Sequence, residues 1–181
     1  PNEFIDYLYL KVGEEGTLLF PTFNWDFLRG KTFDYNNTPS MSGSLSKIAL
    51  KRGDFLRTKH PIYSFAVKGK DKEQLFNLDD KSGWGKNSIF AYFHENSAKN
   101  LFIGLDYKNG FTFDHYFEEK VGVDYRFFKE FKSNYISKDG AENSKTYKMY
   151  VRNLKLDVVT GIDKKLDKIL EKNLGYAKIF F

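Results

Sequence analysis

The chain has 181 residues, of which 41% are hydrophobic, 29% charged and 18% aromatic, and 29 Lys and Arg against 24 Asp and Glu leave a formal net charge of +5. That apolar content excludes a disordered, collagen-like or coiled-coil chain, and no apolar stretch approaches the roughly 18 residues of a membrane helix. The absence of cysteine excludes disulfides, a thiol nucleophile, thiolate-bound zinc and an iron–sulfur centre.

Phe4, Ile5, Leu8 and Val12 recur at helical spacing over residues 2–12. Gly13-Glu14-Glu15-Gly16 breaks the pattern, and Thr17-Leu18-Leu19-Phe20 reads as a buried strand stopped by Pro21. Residues 21–39, with Asn24, Asp26, Asp34, Asn36 and Asn37, read as a long loop. Ser42 or Ser44 is placed to cap a short helix through Leu45, Ile48 and Ala49 that ends at Lys51-Arg52-Gly53.

Ile62, Phe65 and Val67 predict a strand up to Gly69, and Asp71 opens a short helix carrying Leu75 and Phe76. Ser88 caps another with Ile89, Phe90, Tyr92 and Phe93, and Leu101-Phe102-Ile103-Gly104 reads as a further buried strand. Beyond Gly122 the texture changes. Aromatic segments at 125–135 and 147–151 flank a polar turn at 137–144, which predicts an antiparallel hairpin, and Ile162, Leu166, Ile169 and Leu170 predict an amphipathic helix over 162–174. Continuous apolar strands separated by helices predict an α/β fold, a three-layer α/β/α sandwich around a central, mostly parallel sheet. The length suits one domain, and with no secretory signal at its start the expectation is a soluble, cytoplasmic protein.

Imidazole is the side chain best matched to proton transfer near neutral pH, and the chain has 3 histidines. His60 lies in Arg57-Thr58-Lys59-His60-Pro61, where the proline keeps the preceding backbone extended and can present the ring at a sheet end. A loop histidine bonded to backbone is the alternative. His115 and Glu118 share one face of a predicted helix at i, i+3, able to hold a cationic group or to form an ordinary surface ion pair. A metal is not expected there, for want of a third ligand. His94 sits at a solvated helix end without an assigned role.

No phosphate loop, Gly-x-Gly-x-x-Gly fingerprint or Gly-x-Ser-x-Gly elbow occurs, which removes support for an NTPase, a dinucleotide oxidoreductase or an esterase. Gly83-Trp84-Gly85-Lys86 reads as a turn. Tyr125-Arg126-Phe127-Phe128-Lys129 reads as a half-buried strand in preference to a base-stacking surface, so neither nucleic acid nor membrane is an expected partner.

Taken in order, several motifs resemble the aminoglycoside 3-N-acetyltransferase family, which is distinct from the GNAT acetyltransferases. They are Gly16-Thr17-Leu18-Leu19-Phe20-Pro21-Thr22-Phe23, Thr38-Pro39-Ser40, His60-Pro61 with Ser64, Gly85-Lys86-Asn87-Ser88, and Thr112 with His115 and Glu118. The likeness runs from about residue 13 to about residue 126 and weakly on to Tyr150-Val151-Arg152-Asn153. It implies an α/β/α fold, acetyl-coenzyme A as donor, no metal, and acetyl transfer to a primary amine of an amino sugar. His60 is then the general base, Thr38, Ser40 and Ser64 bind the donor, and Asp26, His115 and Glu118 form the acceptor end. Direct attack by the amine needs no enzyme nucleophile.

Met41-Ser42-Gly43 shifts the family's spacing after Thr-Pro-Ser, and family members open with a strand, a Ser-rich turn and a helix. The expectation is that residues 1–181 form one acetyltransferase-like domain lacking that opening unit. The positive net charge leans the acceptor towards an anionic, nucleotide-linked amino sugar of surface-polysaccharide synthesis and away from a polycationic aminoglycoside. An inactive remnant or binding protein of the same fold is the alternative, and a homodimer is one option for its assembly.

Overall fold

The first helix, α1 (Asn2–Val12), turns Ile5 inward and stops at Gly13, where a φ of 78° demands glycine. The chain then enters β1 (Thr17–Pro21), in register with the apolar run of the sequence. The computed structural model describes residues 1–105, 110–158 and 172. The helix expected over 162–174 lies outside the described residues apart from Lys172.

Residues 21–39 carry a 3-10 helix, Asp26–Arg29, closed by Gly30, and a short strand, β2 (Phe33–Asp34). Then follow α2 (Ser44–Lys51), β3 (Leu56–Arg57), β4 (Phe65–Gly69) and α3 (Lys72–Asn77). Gly43, not a serine, holds the cap position of α2. The next helix, α4 (Ile89–Glu95), is capped as predicted, Ser88 Oγ accepting the Ala91 N–H at 3.1 Å. The remaining elements are α5 (Asp114–Val121), β5 (Arg126–Ile136) and β6 (Glu142–Arg152).

One sheet has the order β1-β4-β3 and the other β2-β5-β6. The mixed α/β character and the C-terminal hairpin, paired from Arg126 opposite Arg152 to Ile136 opposite Glu142, stand as expected. The strand directions differ from the expected mostly parallel sheet. Among the described strands only β2 with β5 runs parallel, while β1–β4 and β3–β4 are antiparallel. The apolar runs report burial on both faces, which constrains side chains and not strand direction. The segment Leu101-Phe102-Ile103-Gly104 forms no strand: Leu101 and Ile103 are exposed, and Gly104 turns at φ 71°.

Along β4 the side chains alternate between two cores. Ala66 joins Ile5, Phe20 and Ala49 beneath α1 and α2, whereas Phe65 and Val67 enter a larger aromatic core with Phe23, Tyr63, Phe90 and Tyr147. The larger core couples β4 to α4 and to the hairpin. Burying an aromatic or branched side chain there is worth about 1.5–3 kcal/mol, so the aromatic content of the sequence is chiefly structural, and it leaves the inner mouth of the hairpin beside α5.

Candidate active site

Helix α5 carries His115 and Glu118 one turn apart, and Gly122, at φ 71°, ends the helix so that the chain doubles back into β5. That reversal returns Tyr125 and Arg126 to Glu118. His115 Nδ1 lies 2.6 Å from Glu118 Oε2, the Tyr125 hydroxyl donates to Glu118 Oε1 at 2.9 Å, and Arg126 Nε sits 2.9 Å from Oε2. Burial opposes the charge on Glu118, but the bonds from His115 and Tyr125 and the positive Arg126 outweigh it, holding this carboxyl below its usual range.

A carboxylate has no proton to give, so the 2.6 Å contact requires the proton on His115 Nδ1. In the neutral ring the Nε2 lone pair is then the free one, the atom through which the ring can act as a base. Arg126 is anchored from the other side, donating to the Tyr150 carbonyl at 3.0 Å.

Trp84, only 3% exposed, packs edge-on to His115 with ring centroids 5.2 Å apart, and Tyr63 lies 5.0 Å beyond it. The two glycines flanking Trp84 explain its placement. A Cβ on Gly83 would run into the Tyr63 ring, and one on Gly85 would meet the Asp80 carboxylate at 2.5 Å. Asp80 in turn accepts the Ser82 and Asn87 backbone N–H groups, each at 2.9 Å. What reads in sequence as a plain turn is a built loop that holds an indole against an imidazole.

Four buried side-chain atoms lack a hydrogen-bond partner among the described residues: His60 Nε2, Trp84 Nε1, Asp114 Oδ1 and Arg126 Nε. The last is close to Glu118 but not aligned for a bond. Trp84, Asp114 and Arg126 all border His115, Asp114 Oδ1 lying 3.6 Å from Nδ1. Burial pushes the Asp114 carboxyl up. Unpaired buried polar atoms are rare in folded proteins, and such a cluster calls for polar partners, whether water, an ion or a ligand.

His60 has the opposite tautomer. The backbone N–H groups of Ile62 and Tyr63 donate to its Nδ1 at 3.2 and 3.0 Å, so its proton resides on Nε2. Burial pushes its pKa down to about 3. Its Nε2 borders a cavity of about 20 Å³, lined also by Thr58, Asp80, Ser82 and Asn87, large enough for one water. The geometry departs from the expectation of a base: the acceptor nitrogen is taken by the chain, and a neutral donor is what remains.

This has a measurable consequence. With an unfolded value of 6.5 and a folded value near 3, His60 takes up a proton only on unfolding across that window. The unfolded state therefore binds more protons there, and stability falls as pH drops below 6.5, with no effect above it. Between pH 7 and pH 5 the unfolded imidazole charges while the folded one does not, so about 1–2 kcal/mol is expected to go. Urea unfolding at both pH values should show a smaller loss in a His60→Gln variant; equal losses would mean that folded His60 protonates normally.

The remaining sequence candidates lie elsewhere. Asp26 is ion-paired with Lys31 at 3.2 Å and Arg29 at 3.4 Å at the 3-10 helix. Thr38 Oγ1 accepts the Asp34 N–H at 2.7 Å, Ser40 Oγ accepts the Ser42 N–H at 3.1 Å, and the fully buried Ser64 Oγ donates to the Thr22 carbonyl at 2.9 Å. Thr38 and Ser64 converge on Arg57, which sequence reasoning missed. Arg57 is buried, donates to Ser64 Oγ at 3.1 Å and to the Thr38 carbonyl at 2.6 Å, and lies 4.7 Å over the Phe33 ring. Burial draws its pKa down to about 10, still charged at neutral pH. Among the described residues no group of three or more His, Asp or Glu side chains is placed to hold a metal ion, and no helix is long and apolar enough to cross a membrane.

A family model described as Aminoglycoside 3-N-acetyltransferase matches residues 1–179. No curated protein matches the chain. Among solved structures, AAC-IIIb in a binary complex with CoASH superposes with a TM-score of 0.76 at 18% identity, over 97% of this chain and 71% of that one. Sisomicin-bound AAC-VIa gives 0.73 at 19%, over 98% and 74%, and the YokD protein from Bacillus subtilis 0.64 at 23%, over 81% and 66%. At these identities the likeness shows a shared fold.

Proposed function

Because the chain belongs to the aminoglycoside 3-N-acetyltransferase family, a family of acyltransferases, we propose that it transfers the acetyl group of acetyl-coenzyme A to a primary amine of an amino sugar, with His115 as general base. The observation that carries this reading is the 2.6 Å contact between His115 Nδ1 and Glu118, which places the proton of the neutral ring on Nδ1 and leaves Nε2 as its accepting atom.

A sugar amine arrives as an ammonium ion, attracted by the carboxylates of Asp114 and Glu118. It must lose a proton before it can attack a thioester, and His115 Nε2 accepts that proton. Glu118, fixed by Tyr125 and Arg126, holds the ring in this tautomer and stabilises the imidazolium that forms. His115, one-third exposed, passes that first proton to solvent; as the new C–N bond forms its Nε2 takes a second proton from the attacking nitrogen and gives it to the thiolate as the C–S bond breaks, so each transfer releases one proton. The Nε2–H of His60 and the indole N–H of Trp84, both without partners, suit carbonyl oxygens of the donor. The base role expected of His60 thus passes to His115, and His60 is kept as a fixed neutral donor.

The donor is supported by the CoASH carried by AAC-IIIb, and the amino-sugar acceptor by the sisomicin carried by AAC-VIa. The net charge of +5 favours an anionic acceptor, a nucleotide-linked amino sugar of surface-polysaccharide synthesis, over a polycationic drug. The test is thiol release from acetyl-coenzyme A with separate panels of aminoglycosides and nucleotide-linked amino sugars. Release with one panel is expected and selects the acceptor class. Silence with both, together with no coenzyme A binding, overturns the reading in favour of an inactive protein of the same fold.

A further inference from the structure

Thr58, His60, Leu78 and Asp80 border the His60 cavity, while the intervening Lys59 and Asp79 border a different, larger groove. The same two segments therefore border both clefts. The second groove has a volume of about 620 Å³, within the range of roughly 300–1,000 Å³ that holds small molecules.

Three lysines face it. Lys59 and Lys138 lie 4.5 and 5.4 Å over the Phe76 ring, and Lys145 lies 3.9 Å over the Tyr135 ring. Among the described residues none of the three has a carboxylate within ion-pair distance. The groove does contain two carboxylates, but each is turned to another partner. Asp79 accepts the Tyr147 hydroxyl at 3.1 Å, and Asp139 accepts the Ser137 hydroxyl at 2.5 Å and the Ala141 N–H at 3.3 Å. Three ammonium groups around one opening repel one another, and an anion is the species that relieves this.

The aromatic walls are rigid. The Tyr135 hydroxyl donates to the Lys59 carbonyl at 2.8 Å, the Tyr35 hydroxyl donates to the Arg57 carbonyl, and burial keeps both phenols protonated. Tyr35 and Tyr135, 6% and 2% exposed, form a fixed floor, and the half-buried Phe76 is the ring left for a base to stack on beside charges for phosphate oxygens. A bare amine or neutral sugar gains nothing from three unpaired lysines.

We propose that this groove binds a nucleoside diphosphate, its phosphates held by Lys59, Lys138 and Lys145 and its base against Phe76. The proposal rests on the acetyl-transfer reading only for the source of that group, which is either a nucleotide-linked acceptor or the phosphorylated adenosine end of coenzyme A.

Calorimetric titration of the whole chain with uridine diphosphate and, separately, with coenzyme A distinguishes the two sources. Binding of at least one is expected, weakened about tenfold or more in a Lys138→Glu/Lys145→Glu variant and weakened by added salt. Lys59→Gln should act in the same direction, and circular dichroism of each variant confirms that it is folded. No binding of either nucleotide to the unaltered chain, or equal binding in folded variants, overturns the proposal. Titration requires no turnover, so an inactive protein that binds nucleotide and an active one that ignores these substitutions are told apart.

Discussion

Replacing His115 with alanine is expected to lower kcat for acetyl transfer by about 10³-fold or more, with the circular dichroism spectrum unchanged. The expectation follows from proton inventory. Two imidazoles lie near the row of rings formed by Trp84 and Tyr63, and they carry their protons on different nitrogens. His60 presents N–H because the Ile62 and Tyr63 amides occupy its Nδ1, whereas neutral His115 presents a lone pair at Nε2 because its Nδ1–H donates to Glu118. Only the second can deprotonate an amine. The side chain of His115 is one-third exposed, 33%, and its loss widens an opening without leaving a sealed cavity, so the fold should survive. Glu118→Gln should fall between the variant and the unaltered protein, because an amide can hold either tautomer. Near-normal turnover in His115→Ala alongside a dead, folded His60→Ala would return the base role to His60.

Arg57→Met is expected to cost about 3–5 kcal/mol of stability in urea unfolding. Arg57 donates to the carbonyls of Thr22, Tyr35 and Thr38 and to the Ser64 hydroxyl, from three stretches of chain at once. Methionine fills the volume and leaves those acceptors buried without donors. Lysine should not restore the loss, since a single ammonium cannot span the positions that a planar guanidinium reaches. A change below about 1 kcal/mol would mean that water replaces the guanidinium, and that residues 33–40 are held by other contacts.

Much of the fold is legible in the sequence where one local rule decides. Ile5, Phe20 and Ala49 follow from periodicity, the Ser88 cap from its position before an apolar helix, and the hairpin from aromatic segments around a polar turn. The failures share a different cause. Leu101-Phe102-Ile103 has the composition of a buried strand but meets no partner strand, and pairing is a property of the rest of the chain. Arg57 and Arg126 look like ordinary surface charges until the backbone folds carbonyls and a carboxylate around them. Trp84 carried the one overlooked local signal, a large ring between two glycines. The histidines show the limit most sharply. Motif order names both, but which nitrogen holds the proton is decided by two amides and a carboxylate whose positions exist only after folding.

The parallel pairing of β2 with β5 has a kinetic side. The hairpin closes through a turn of a few residues and can form early, but its attachment to β2 joins segments 102 positions apart, through the Ser133 bond to Lys31 and the Asn36 bond to Lys138. Contacts of such sequence separation are made late, after the entropy of a long loop has been given up. The lysine groove takes Tyr35 from one side of that junction and Tyr135, Lys138 and Lys145 from the other. Its assembly therefore depends on closing that long loop, and a chain in which β2 has not met β5 displays the hairpin without the groove.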